Sequence, residues 1–135
     1  MTWPTVTAGY LAALALIYAA LAIHVIRLRA GGRTPFGDGG DTRLRNAIRA
    51  HANFAEYVPI IALMVALLEM SGASAFRVHL WMAGLLLSRL MHPLGLAAKP
   101  GSLPFRIFRI GGVTLTLLVL IGSAIALLTR LMRGL

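Results

Sequence analysis

Apolar and polar positions alternate in long blocks along this chain, not residue by residue. Four apolar stretches, at about residues 6–28, 42–70, 77–96 and 105–131, are each long enough to cross the roughly 30 Å hydrocarbon layer as a helix, which takes about 20 residues. Short polar segments separate them. The pattern predicts an all-α fold, an integral membrane four-helix bundle forming a single four-span domain over residues 1–135.

Trp3 suits an interfacial anchor ahead of the first span, and Pro4 suits its start. That span is apolar apart from His24 and rich in alanine, so it can approach neighbouring helices closely. No charge precedes it, which argues against a cleaved signal peptide. The link Arg27–Thr42 contains five glycines, a proline, three arginines and two aspartates, a flexible polar loop from which Asp41 or Thr42 caps the next helix. Ser71–Phe76 is a tight turn, and Ala97–Pro104 forms the remaining polar loop.

The second span, TRLRNAIRAHANFAEYVPIIALMVALLEM, changes character halfway. At 100° per residue, Arg45, Arg49, Asn53 and Glu56 fall within an arc of about 80°, so one face carries cations, an amide and a carboxylate. Beyond Glu56 no charge occurs until Glu69. Pro59 either kinks this helix past the polar face or is a tolerated membrane proline. Ionisable groups this close to hydrocarbon are costly and are retained for a ligand, a partner or a relay.

Composition agrees with a membrane protein: of 135 residues 59% are hydrophobic and 13% charged, and the mean hydropathy is +0.82. The absence of cysteine excludes disulfides and thiolate metal sites, so any thiol chemistry needs a thiol that arrives with a ligand. No arrangement of histidines and carboxylates has metal-site spacing, so no metal is expected. Thirteen basic residues against four acids give a net charge of +9, and twelve of the thirteen are Arg. They sit at span ends and inside apolar helices, not in one solvated patch, so no nucleic-acid partner is expected. Their bias towards the first and last polar loops places those loops in the cytoplasm and the N-terminus outside, with Arg130 and Arg133 dissenting.

That topology brings Arg45, Arg49, Asn53, Glu56, Arg89, His92, Arg106 and Arg109 to one layer. Guanidinium forks match carboxylates, so an anionic ligand with more than one carboxylate is the natural guest. Structural alternatives stand beside this: Arg49 with Glu56 as an ion pair, Asn53 as interhelical glue, His92 as a helix-end hydrogen bond, and Arg109 against a lipid headgroup. His51 points away from Arg49 and suits a structural role, and Ser88 has no acid for a hydrolase triad.

The run Arg49-Ala50-His51-Ala52-Asn53-Phe54-Ala55-Glu56, followed by Tyr57 and Pro59, resembles the second-helix signature of the MAPEG family, the membrane-associated proteins in eicosanoid and glutathione metabolism. Arg89 and His92 before Gly95 resemble its third-helix pattern, and Arg106 just after a proline resembles its fourth-helix arginine. The chain is similar to the short bacterial members. The resemblance implies a homotrimer in a bacterial inner membrane, with glutathione as co-substrate in clefts between subunits near the cytoplasmic face. Arg45, Arg49, Asn53, Glu56, Arg89, His92 and Arg109 then bind glutathione, and Arg106 is the catalytic residue beside its thiol. A lipophilic small-molecule substrate enters from the bilayer. The implied activity is glutathione transfer to lipophilic electrophiles, or peroxidase chemistry. Ala52, Leu96 and Ile107 depart from eicosanoid-type members and point away from prostaglandin or leukotriene synthesis. The alternatives are a non-enzymatic binding or scaffold protein of the same fold, and a small drug-proton transporter.

Overall fold

A computed structural model describes residues 3–99 and 101–134. Its four long helices are α1 (Thr5–Gly32), α2 (Thr42–Met70), α3 (Ala75–Ala97) and α4 (Leu103–Met132), all long and apolar enough to cross a membrane, and no strand occurs among the described residues. Consecutive helices run antiparallel, so the α1–α2 and α3–α4 links share one end of the bundle and the α2–α3 turn lies at the other.

The core follows from helical spacing. Ala47, Ala50, Phe54, Val58, Ile61, Val65 and Leu68 recur every three or four residues and form the buried stripe of α2. Val78, Met82, Leu85, Arg89 and His92 form that of α3. Among the described residues α2 and α3 touch every other helix while α1 and α4 do not meet, so α2 and α3 form the central pair. α1 buries only Thr7 and Leu14 in the chain.

Each end is closed by identifiable chemistry. Asp41 caps α2 by accepting from the Arg43 amide at 2.7 Å. The start of α1 has no local cap; the Glu69 carboxylate, from the end of α2, accepts from the Val6 and Thr7 amides at 2.9 Å each and from the Thr7 hydroxyl at 2.6 Å. A carboxylate against orphan amides at a helix N-terminus is stabilised by the helix dipole as well as by the hydrogen bonds.

Helix α4 is not uniform. After a first turn capped by Ser102, the backbone widens to a π-helix over Arg106–Ile110 and returns to α from Gly111. This widened segment lies against Gly95 of α3, where a Cβ would come within 2.5 Å of the Arg109 backbone nitrogen. Only glycine permits that approach. Gly112, Thr116, Val119 and Ser123 continue the slim buried stripe of α4. Pro59 leaves α2 continuous from Thr42 to Met70, in keeping with a tolerated membrane proline.

Candidate functional site

The face of α2 with the candidate residues points out of the chain. Arg45, Arg49 and Glu56 are exposed and Asn53 is half-buried, and the same exposed stripe continues through Ile60, Leu63 and Leu67. Among the described residues neither Arg49 nor Glu56 has a hydrogen-bond or ion-pair partner, so the two do not pair with each other within the chain. Glu56 is the middle residue of α2 (Thr42–Met70). A 29-residue helix is about 43 Å long, so Glu56 lies roughly 21 Å from either end. With a hydrocarbon layer of about 30 Å, that carboxylate is inside it whichever end overhangs.

Arg89 is buried, 2% exposed, and its donors are directed inward. Nη1 donates to the Asn53 backbone carbonyl at 2.9 Å and to the Asn53 side-chain oxygen, Nη2 donates to the Thr116 hydroxyl, and Nε reaches the Ser88 hydroxyl at 3.3 Å. Thr116 in turn donates to the Gly112 carbonyl at 2.7 Å. The guanidinium carbon also lies 5.7 Å from the centre of the Tyr57 ring. One arginine therefore ties α2, α3 and α4 together inside the apolar layer. Arg89 and Asn53 come together as bonded partners, so the donors of this arginine are engaged within the chain.

His92 lies one turn further on, buried, and its Nδ1 has no hydrogen-bond partner. Gly112 and Gly95 bring α4 against this part of α3. Arg106 is exposed at the start of the π-helical segment, and Arg109, half-buried within it, lies 6.0 Å from the Phe105 ring centre. Arg45 turns towards the preceding loop and pairs with Asp38. Asp38 is held below the usual carboxylate range, first by that hydrogen bond and then by the Gly40 amide. A hollow of about 370 Å³ at this end lies between α1, α2 and α3 and is lined by His24, Arg43, Asn46 and Pro93, not by Arg49, Glu56 or Arg106. A second, apolar hollow of about 210 Å³ between α1 and α2 is lined by Tyr18, Phe54, Ala55, Val58 and Pro59 and so abuts Glu56 in sequence.

Several residues outside the sequence-derived set contribute. Thr116 and Tyr57 complete the surroundings of Arg89, and Asn46 donates to the Leu96 carbonyl at 2.9 Å, tying α2 to the end of α3. Thr116 reads in sequence as one more small polar residue of an apolar span. His51 stacks on Tyr18 with ring centres 4.5 Å apart, a structural position away from Arg49.

The MAPEG family model matches residues 7–129 of this chain. Inner membrane protein YecN of Escherichia coli strain K12 is 41% identical to it over 90 residues, covering 67% of this chain and 69% of YecN. YecN of Escherichia coli O6:H1 aligns with the same identity and coverage. No solved structure matches significantly.

Proposed function

This chain belongs to the MAPEG family, and on that premise we propose that it is a glutathione transferase or peroxidase of the bacterial inner membrane. Its copies assemble as a homotrimer, meeting across the charged face of α2. The observation that carries the reading is Glu56, an exposed carboxylate at the middle of a membrane-spanning helix with no partner in its own chain. Ionisable side chains within a bilayer face the interior of an assembly or a water-filled cavity, not lipid. A neighbouring copy covering this face encloses Arg49, Asn53 and Glu56 in a polar cleft.

Such a cleft suits glutathione, with its two carboxylates and one ammonium. Arg49 pairs with a carboxylate, Glu56 accepts from the α-amino group, and Arg106 and Arg109 approach from the start of α4. Only a thiolate attacks electrophiles efficiently, and a free thiol has a pKa near 8.5. A fixed guanidinium beside the sulfur lowers that value, and each unit represents about 1.4 kcal/mol of preferential stabilisation of the anion. In transfer, the sulfur lone pair forms the new carbon–sulfur bond and the leaving group departs with its bonding pair. In peroxidase chemistry, two glutathione thiols are oxidised to the disulfide as the O–O bond is reduced. The apolar hollow beside Pro59 supports a lipophilic second substrate arriving from the bilayer. The cytoplasmic placement of the polar loops rests on the charge bias of those loops.

The inward engagement of Arg89 favours one second reading, a non-enzymatic membrane protein of this fold in which the polar face of α2 serves assembly alone. Glutathione titrated into purified protein, followed by calorimetry and by thiolate ultraviolet absorbance, separates the two. The enzyme reading expects binding with a thiolate band. Glu56→Gln weakens binding, and Arg106→Ala suppresses the band more than the affinity. Absence of both binding and band in the wild type rejects it.

A further inference from the structure

The opposite end of the bundle, at the α2–α3 turn, gathers three arginines, none of which has an ion-pair partner among the described residues. Arg77 at the start of α3 and Arg130 and Arg133 at the end of α4 line one cavity of about 220 Å³, whose apolar wall includes Leu68, Val78 and Trp81. The chain has four acids. Asp38 and Asp41 belong to the link at the other end, Glu56 lies mid-helix, and Glu69 is taken up by the amides of Val6 and Thr7. Among the described residues the ion pair is Arg45 with Asp38, so the three arginines line the cavity without an ion-pair partner.

The cavity is supported by specific packing. Arg130 Nη2 donates to the Ser71 carbonyl, while its Nε is buried without a partner. Gly72 takes a φ of +88°, and a Cβ there would stand 3.2 Å from Arg130 Nη2, so the turn leaves room for the guanidinium. Trp81 rests on Gly122, where a Cβ would lie 2.5 Å from the indole. Neither Arg77 nor Arg133 donates from its guanidinium to a described residue, so both are free to turn towards a guest.

Like charges gathered in one hollow repel each other, and a bound oxyanion reverses the sign of that interaction. Guanidinium forks suit phosphate oxygens. A free phosphate would use the arginines but not the wall, whereas a lipid would place its phosphate at the arginines and its first apolar carbons along Leu68, Val78 and Trp81. We propose that this cavity binds the phosphate head of an anionic phospholipid, in the leaflet opposite the one that carries the polar loops. The Arg130 and Arg133 that dissent from the loop-charge rule are then ligands for a lipid and not topology signals. This inference does not depend on glutathione chemistry.

The test uses the delipidated full chain in detergent, with retention of phosphatidylglycerol and phosphatidylcholine compared by native mass spectrometry and thermal stabilisation by inorganic phosphate measured separately. Phosphatidylglycerol is expected to be retained in preference to phosphatidylcholine. Arg77→Gln/Arg133→Gln should lower its affinity about 25-fold, at roughly a factor of five per guanidinium near a membrane surface, while Lys99→Gln at the other end leaves it unchanged. If the double variant fails to fold, Arg133→Gln alone, in an exposed last turn, should lower affinity about fivefold. Equal retention of the two lipids, or retention unaffected by either variant, overturns the proposal. Phosphate alone stabilising as strongly as phosphatidylglycerol also overturns it, by assigning the cavity to a soluble oxyanion.

Discussion

Replacing Arg89 with methionine tests whether that residue is a structural clamp. Three of its hydrogen bonds cross between helices, two to Asn53 on α2 and one to Thr116 on α4. Interhelical hydrogen bonds in membranes average about 0.6 kcal/mol each, which gives roughly 2 kcal/mol for the set. An opposing effect has to be weighed, because removing a guanidinium from hydrocarbon recovers up to about 3 kcal/mol on insertion scales. That insertion cost is carried by the separated helix as well as by the bundle, so most of it cancels in a comparison of folded and unfolded states within the membrane. What does not cancel is the Asn53 side-chain oxygen left short of a donor, at about 1–3 kcal/mol. The expected result for Arg89→Met is destabilisation of about 3–5 kcal/mol, and for Thr116→Val, which loses one interhelical bond besides its intrahelical bond to Gly112, about 1 kcal/mol. Reversible unfolding in mixed micelles, followed by circular dichroism, measures both. Arg89→Met as stable as the wild type but deficient in glutathione binding would refute the clamp and return Arg89 to the ligand site.

Three further outcomes follow from the same geometry. Glu69→Ala should cost about 1–2 kcal/mol, because the first-turn amides of α1 lose their acceptor, and hydrogen exchange should rise at Val6 and Thr7 while α3 stays protected. Gly95→Ala should cost about 1–3 kcal/mol in the same unfolding assay, because the new Cβ meets Arg109 backbone and not a side chain that can move aside; unchanged stability would mean that α4 does not approach α3 so closely. In the α1–α2 link, Asp38 binds its proton less readily when the loop is ordered, since Arg45 and the Gly40 amide hold the ionised form. Its contribution is therefore present above the ordinary carboxylate value of 3.8 and lost as pH falls through the depressed value, so protection of the Gly40 amide should disappear in acid and do so at higher pH in Arg45→Gln.

The features legible in sequence are those decided locally. Four apolar blocks announce four spans, Asp41 announces the α2 cap, and helical spacing gathers Arg45, Arg49, Asn53 and Glu56 on one face. What sequence conceals depends on which residues meet across the bundle. Glu69 looks like a charge that ends an apolar run, yet its carboxylate caps a helix 63 residues earlier in the chain. Arg89 has the spacing of a ligand residue, but Thr116, 27 residues later, supplies an acceptor that holds it inside the chain. Arg45 shares a face with Glu56, but the flexible link brings Asp38 within reach first. The π-helical turn of α4 has no local signature beyond Gly95 on a different helix, which clears the space for it.

In the proposed assembly a second copy of the chain covers the charged stripe of α2. The chain has no cysteine, so a single one introduced at Leu63, two turns beyond Glu56 on the same exposed face, reports on that surface directly. In native membranes under mild oxidation, Leu63→Cys should form disulfide-linked dimers efficiently, whereas Leu16→Cys on the exposed side of α1 should remain monomeric. Failure of Leu63→Cys to cross-link, together with quenching of a fluorophore attached there by lipid-soluble quenchers to the same extent as one attached at Leu16→Cys, would place the stripe against lipid and exclude this assembly.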